Sequence, residues 1–184
     1  MKSRIIRAFI EETRVNGIKF TMDDLAKRLG ISKRTLYEHF SSKLEILESI
    51  IDLTLSEFDE RSNQIIEDQS LGLKEKIRQT ITIMPEHNDF YDLRILEQLK
   101  RYYPEQWERI DREIHQWDNL KKLLEEGMET GLIKEQNIEL LMKIIMDAIN
   151  ITLDLKFFSD HSISVKEAVE AITELLLHGL VKEK

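Results

Sequence analysis

With 184 residues, 41% of them apolar, the chain is long enough for a small head and a helical body with a real core, and its lack of cysteine excludes disulfides, thiolate metal sites and a cysteine nucleophile. The net charge of −8 is unevenly spread: residues 1–47 carry ten Lys or Arg against six Asp or Glu, net +4, while the rest carries seventeen against twenty-nine, net −12. Only the basic end suits a polyanion, so any such contact is expected through that end alone, electrostatic and salt-sensitive.

The first residues, MKSRIIRAFIEETR, begin with basic residues, but their apolar run is short, broken by Arg7 and followed by Glu11 and Glu12. They read as a helix and not as a secretory signal. No later segment is long and apolar enough to span a bilayer, and a soluble protein of the reducing cytoplasm is expected.

Residues 21–40, TMDDLAKRLGISKRTLYEHF, read as two helices joined by a tight turn. Thr21 is a good N-cap, Asp23 and Asp24 lie in a first turn that favours negative charge, and Leu25, Ala26 and Leu29 make an apolar stripe. Gly30 ends that helix and Ser32 caps the next after a turn of about three or four residues, which is helix-turn-helix spacing. The second helix, from Lys33 to about Phe40, turns Leu36 and Phe40 inward, so that Arg34, Thr35, Tyr37 and Glu38 point mostly outward. Lys33 and Arg34 stand where such a helix reaches base edges in the major groove, and Ser32, Thr35 and Tyr37 carry hydroxyls able to bond phosphates. Next come His39 and Lys43, the latter in the first turn of a helix capped by Ser41 or Ser42 and placed for another phosphate. With Thr21, these are the candidate DNA-binding residues.

The run from Leu25 to Lys43 resembles the N-terminal domain of the tetracycline-repressor (TetR) family of bacterial transcriptional regulators, whose motif is L-A-x-x-x-G-[VI]-S-x-x-T-L-Y-x-[HY]-F-x-x-K. Ile6, Ala8, Gly17 and Thr21 extend the resemblance over about residues 4–47. Arg34 stands where the family commonly has Gly, Phe9 where a small residue is frequent, and Leu44 where Glu often follows the lysine. Of these only Arg34 bears on DNA: it reaches a base or phosphate, or folds onto Glu38 at i+4.

Beyond the head, with two prolines in the whole chain and almost no alternating pattern, helices are predicted throughout. One from about Ser42 runs through Ile46, Ile50, Leu53 and Phe58 and is long enough to link head to body. The next carries Ile77, Ile81 and Met84 and closes near Pro85; another carries Phe90, Leu93, Leu96 and Leu99 and ends at Pro104. A single helix is then predicted from Glu105 to about Thr130, with Trp107, Ile110, Ile114, Trp117, Leu120 and Leu124 on one stripe, stopping at Gly131.

The last two helices, about Ile138 to Phe158 and Val165 to Val181, are apolar on more than one face: Leu140, Leu141, Met142, Ile144, Ile145, Met146, Ile149 and Ile151 in the first, Leu175, Leu176, Leu177 and Leu180 in the second. Two such helices from each of two subunits would make a four-helix interface, which is also where the resembling family dimerises. Central burial within one chain is the alternative for one of the pair. A two-fold dimer calls for a palindromic operator with half-sites about one helical turn apart.

The expected fold class is therefore all-α, with a three-helix helix-turn-helix DNA-binding head over residues 1–47 and a helical ligand-binding and dimerisation body over residues 48–184. Release of DNA by a small apolar ligand is implied by the resemblance alone. Met84, Phe90, Tyr91, Tyr103, Trp107, Trp117, Met142 and Met146 are adaptable side chains that suit a ligand cavity, yet at helical spacing they equally suit ordinary core, and no ligand residue is assigned. His87 with Asp89 and Asp92, Asp111 with His115, and Asp160 with His161 each lie in a charged stretch that suits a solvated helix face or loop. No phosphate-cradling glycine loop, H-E-x-x-H or nucleophile elbow is present. No catalytic residue, metal or cofactor is expected. The alternatives to a ligand-released homodimeric repressor are a ligand-independent or architectural DNA-binding protein and, last, a helical enzyme.

Overall fold

A computed structural model of the chain describes residues 1–83, 93–114, 117–150 and 163–181. Among these the regular elements are α-helices, joined by one isolated antiparallel bridge between Ile133 and Val181, so the fold is all-α. The described residues fall into two compact units, one drawn from residues 1–57 and 85–113, the other from residues 58–84 and 114–184.

In the first unit, α1 (Lys2–Asn16) buries Ile5, Ala8, Phe9, Glu12 and Thr13, the i, i+3, i+4, i+7, i+8 set that makes one helical face. The bulky Phe9 meets Phe20 edge to face with ring centroids 5.0 Å apart, so the space a smaller residue would leave is filled. At Gly17, which ends α1, φ is 75° and ψ 174°, a conformation essentially reserved for glycine.

Thr21 and Asp24 then form a full capping box for α2 (Met22–Leu29), whose Met22, Leu25, Ala26 and Leu29 are buried. Gly30, with φ of 65°, ends α2 in left-handed geometry: its N–H donates to the Lys27 carbonyl and that of Ile31 to the Ala26 carbonyl, each at 3.1 Å. The helix that follows, α3, runs Lys33–Tyr37 and is shorter than the sequence predicts. Its last turn tightens, because the His39 N–H donates to the Leu36 carbonyl three residues back, at 3.1 Å.

Ser42, not Ser41, caps α4 (Lys43–Glu67): its hydroxyl accepts from the Glu45 amide at 3.1 Å, while Glu45 reaches back to Ser41. Ile46, Leu47, Ile50 and Ile51 on its first turns join Leu25, Leu36 and Phe40 among the buried residues of this unit. The same unit holds α6 (Leu93–Tyr102), which buries Ile95 and Leu99, and α7 (Pro104–Ile114), which buries Ile110. Proline at the first helical position of α7 gives up only an N–H that had no partner there. Arg109 and Gln106 of α7 pair with Asp52 and Glu48 of α4.

In the second unit, α5 (Leu73–Ile81), α8 (Asp118–Glu129), α9 (Ile138–Asn150) and α10 (Val165–Leu180) pack around Ile77, Ile81, Trp117, Leu120, Leu124, Ile133, Leu141, Ile145, Leu177 and Leu180. α5 packs on α8 and α10, and α9 on both α8 and α10. Phe58, from the end of α4, lies on Trp117 with centroids 6.0 Å apart, and Ser164 and Glu167 form a capping box for α10.

The single helix predicted from Glu105 to Thr130 is two helices. Trp117 caps α8 with non-helical φ and ψ of −86° and 58°, and Asp118 follows in the first turn. The stripe that looked continuous serves two cores: Ile110 belongs to the first unit, and Trp117, Leu120 and Leu124 to the second. The predicted positions Met84, Pro85, Phe90, Tyr91 and Ile151 to Phe158, and the titratable His87, Asp89, Asp92, His115, Asp160 and His161, lie outside the described residues.

Candidate nucleic-acid interface

The helix-turn-helix is built by local chemistry before any tertiary contact is counted. The Thr21 hydroxyl donates to the Asp24 carboxylate at 2.7 Å, the Thr21 N–H donates to the same oxygen at 2.9 Å, and the Asp24 N–H returns a bond to the hydroxyl at 3.3 Å. These bonds from Thr21 hold the Asp24 carboxyl below the usual aspartate range. Ser32 repeats the device, accepting from the Thr35 N–H at 3.0 Å, with the two hydroxyls 2.8 Å apart.

Leu36 and Phe40 are buried, and this fixes which side of α3 faces outward. On that outer side stand Ser32, Lys33, Arg34 and Tyr37, all exposed, with Thr35 and His39 half-buried beside them. The Arg34 side chain is 90% exposed and folds onto Glu38, Nε donating to the carboxylate at 3.2 Å. Of the two destinations open to this arginine in the sequence, the internal one is therefore occupied. Lys33 pairs with Asp23 of α2, again in the open. Exposed pairs of this kind contribute about 0–1 kcal/mol, so neither holds its cation firmly. The Tyr37 ring is 50% exposed.

Lys43 differs from what its place in the sequence suggests. Its ammonium turns inward, donating to the carbonyl of Ile18 and, at 2.6 Å, to that of Phe20, and lies 4.1 Å from the centroid of the Phe20 ring. Burial pushes its pKa down to about 8. The reason is the turn at Gly17–Phe20, whose carbonyls point at the first turn of α4 and need a donor. A phosphate contact by Lys43 requires it to leave both carbonyls.

Sequence reading missed the groups that hold this surface from behind. Arg28 of α2 grips α1, its guanidinium donating to Glu12 at 2.8 Å and to Glu11 at 3.1 Å, and the Arg4 guanidinium donates to the Leu29 carbonyl at 2.8 Å. Glu12 falls on the buried face of α1, and an acid on an apolar stripe was the available signal that a cation lay opposite. The Ile18 N–H donates to the side chain of Gln98, eighty residues away, and no local pattern marks that bond.

A capped helix pair with a polar, hydroxyl-bearing and cationic outer face, set in a basic head on an otherwise acidic all-helical chain, is the design of a DNA-binding transcriptional regulator. Residues 5–50 match the profile of the bacterial regulatory proteins of the tetR family. The chain is 29% identical over 185 residues to an uncharacterized helix-turn-helix transcriptional regulator, YvaF, of Bacillus subtilis, covering all of this chain and 97% of that one. It is 27% identical to the fatty acid metabolism regulator protein of the same organism, over 96% of this chain and 94% of that one. The crystal structure of the Bacillus subtilis regulator FadR in complex with stearoyl-CoA superposes with a TM-score of 0.73 at 25% identity, covering 97% of this chain and 99% of that one. Residues 5–50 thus match the DNA-binding part of the tetR family, and over nearly its whole length the chain is similar to transcriptional regulators.

Proposed function

We propose that the chain is a homodimeric repressor which lays α3 of each protomer in the major groove of a palindromic operator and leaves it when a ligand with a long acyl chain binds the body. The observation that carries the DNA contact is the outer face of α3, where Lys33 and Arg34 are held at the surface by nothing stronger than exposed ion pairs. A guanine contact is worth about 1–3 kcal/mol, more than either pair, so Arg34 exchanges Glu38 for a base or a phosphate on the duplex. Thr21, Ser32, Thr35, Tyr37 and His39 contact the sugar-phosphate backbone, and Lys43 supports them by holding the turn before α2. The functional division falls near residue 47, with a DNA-binding head before it and a regulatory body, 48–184, after it. The chain acts in the cytoplasm.

The homodimer is supported by α9 and α10, each of which carries large apolar side chains on two faces. Leu141, Ile145, Leu177 and Leu180 are buried, while Leu140 is 61% and Leu175 76% exposed and Ile144 is exposed beside them. A second copy seated there would cover them. The acyl ligand is supported by the fatty-acid regulator among the relatives and the stearoyl-CoA complex among the similar structures, and by two buried polar atoms of the body, Thr80 Oγ1 and Trp117 Nε1, which have no hydrogen-bond partner among the described residues. An acceptor group on an apolar ligand would give the indole N–H its bond.

Binding-site selection from random duplex DNA, followed by thermal melts with stearoyl-CoA, tests this. An enriched inverted repeat is expected, together with a melting temperature that rises with stearoyl-CoA concentration, by about 2.7 kcal/mol of stabilisation at a hundred times Kd. Asymmetric single half-sites only, or no enrichment, would refute the dimeric operator; a flat melt would refute the acyl ligand.

A further inference from the structure

We infer that Gln98 of α6 is a positioning residue for DNA binding: it holds the turn that aims the helix-turn-helix, and so makes DNA affinity depend on where α6 lies. Ile18, 1% exposed, sits between α1 and α2 with its backbone shut away from water. Buried N–H and C=O groups need partners, and neither finds one in a helix. The carbonyl takes Lys43 of α4, and the N–H takes Oε1 of Gln98 at 2.5 Å. Two helices distant in sequence thus hold one residue from opposite ends of its peptide groups.

The preceding residue is shaped to let this happen. A Cβ on Gly17 would stand 2.8 Å from the same Gln98 Oε1, so the amide oxygen occupies the space a side chain would need, and φ of +75° disfavours any other residue there. Lys19, one residue on, places its ammonium 4.5 Å from the Tyr102 ring centroid of α6. A cleft of about 360 Å³, lined by Arg14, Lys19, Ile95, Gln98 and Tyr102 among others, runs beside the joint. Two residues after Lys19 comes the Thr21 cap, from which α2 and then α3 take their direction. A shift of α6 that withdrew Gln98 would leave the Ile18 N–H buried without a partner, and the turn would have to move to satisfy it.

This rests on the reading that α3 meets DNA, and the test separates the two. The full-length protein is compared with Gln98→Ala, which removes the acceptor, and Gln98→Glu, which keeps one. Exchange of the Ile18 amide is followed by NMR. Affinity is measured for the duplex recovered by selection and for a random 30-base-pair duplex at low salt, well below the melting temperature of every variant. In Gln98→Ala the Ile18 amide is expected to exchange about tenfold faster or more and DNA affinity to fall by about fivefold or more, with the interior amides of α2 unchanged. Gln98→Glu is expected to restore both, a rescue that general loss of stability would not give. Unchanged exchange in Gln98→Ala, or fast exchange with undiminished affinity, would overturn the proposal. Failure of the parent to bind either duplex would instead refute the reading of α3, and the positioning role with it.

Discussion

The two compact units of this chain are finished to different degrees. In the head, helix ends and buried polar groups are answered from within: Thr21 and Ser32 cap their helices, Gly30 closes α2, Arg28 meets Glu12, and Lys43 meets the carbonyls of Ile18 and Phe20. The helix face it leaves open at α3 is polar and cationic. The second unit is the reverse. Its described residues leave Leu140, Ile144 and Leu175 exposed, and Thr80 Oγ1 and Trp117 Nε1 buried without a partner. The open face of α3 in the first unit suits an anion, and the second unit's open groups suit apolar contact and an acceptor.

The largest effect expected from breaking this contrast lies in the second unit. Leu140→Glu with Leu175→Glu puts charge into the proposed dimer face; sedimentation should show monomers, and operator affinity should fall by about a hundredfold or more as one of two linked half-site contacts is lost. A dimer that survives both charges would place the interface elsewhere.

Next in size is the head's internal economy. Gly17→Ala combines a conformation essentially limited to glycine with an approach of 2.8 Å to Gln98, so it should destabilise by about 1–3 kcal/mol, read from urea unfolding. Arg28→Ala should lower the urea midpoint in the same assay, since it leaves Glu12 buried without its cation. Arg34→Ala is expected to leave stability within about 0.5 kcal/mol, because its only exchange is an exposed pair with Glu38. Its effect belongs to DNA: discrimination between the selected site and its single-base variants should drop if Arg34 reads a base, whereas a uniform loss with a shallower salt dependence would mark it as a phosphate contact.

The smallest effect is pH dependence: stability should rise with pH in both units, over different windows. Hydrogen bonds from Arg78 and then Gln79 hold Glu75 of the body at about 2, below the ordinary carboxylate value, so its contribution is present above about pH 4.5 and is lost as pH falls toward 2. Lys43 of the head, pushed down to about 8, is deprotonated in the folded chain before the unfolded one, so stability should rise between about pH 8 and 10.5. Urea midpoints across both ranges, compared with Glu75→Gln and Lys43→Gln, read the two slopes; each variant should lack its own.

The head was largely legible because its signals are local. The caps, Gly30 and the stripe of Leu25, Ala26 and Leu29 agree with one another, and together they give α2, the turn and the start of α3. The end of α3 was not legible, since it is set by a tightened turn at Leu36 that no residue type announces. In the body the helices were legible but the break at Trp117 was not: periodicity reports which residues are apolar, not which of two cores receives them. The inward turn of Lys43 and the reach of Gln98 depend on carbonyl and N–H groups of a distant turn, and backbone demand of that kind leaves no mark in composition.

On the proposed reading, DNA meets the chain on the outer face of α3 and nowhere on the body. Hydrogen–deuterium exchange with and without the selected duplex tests it most directly. Protection is expected over residues 21–43 and none over residues 138–150 or 163–181, apart from what the dimer already protects. Unchanged exchange across α3 on a saturated duplex, or new protection confined to α9 and α10, would contradict it.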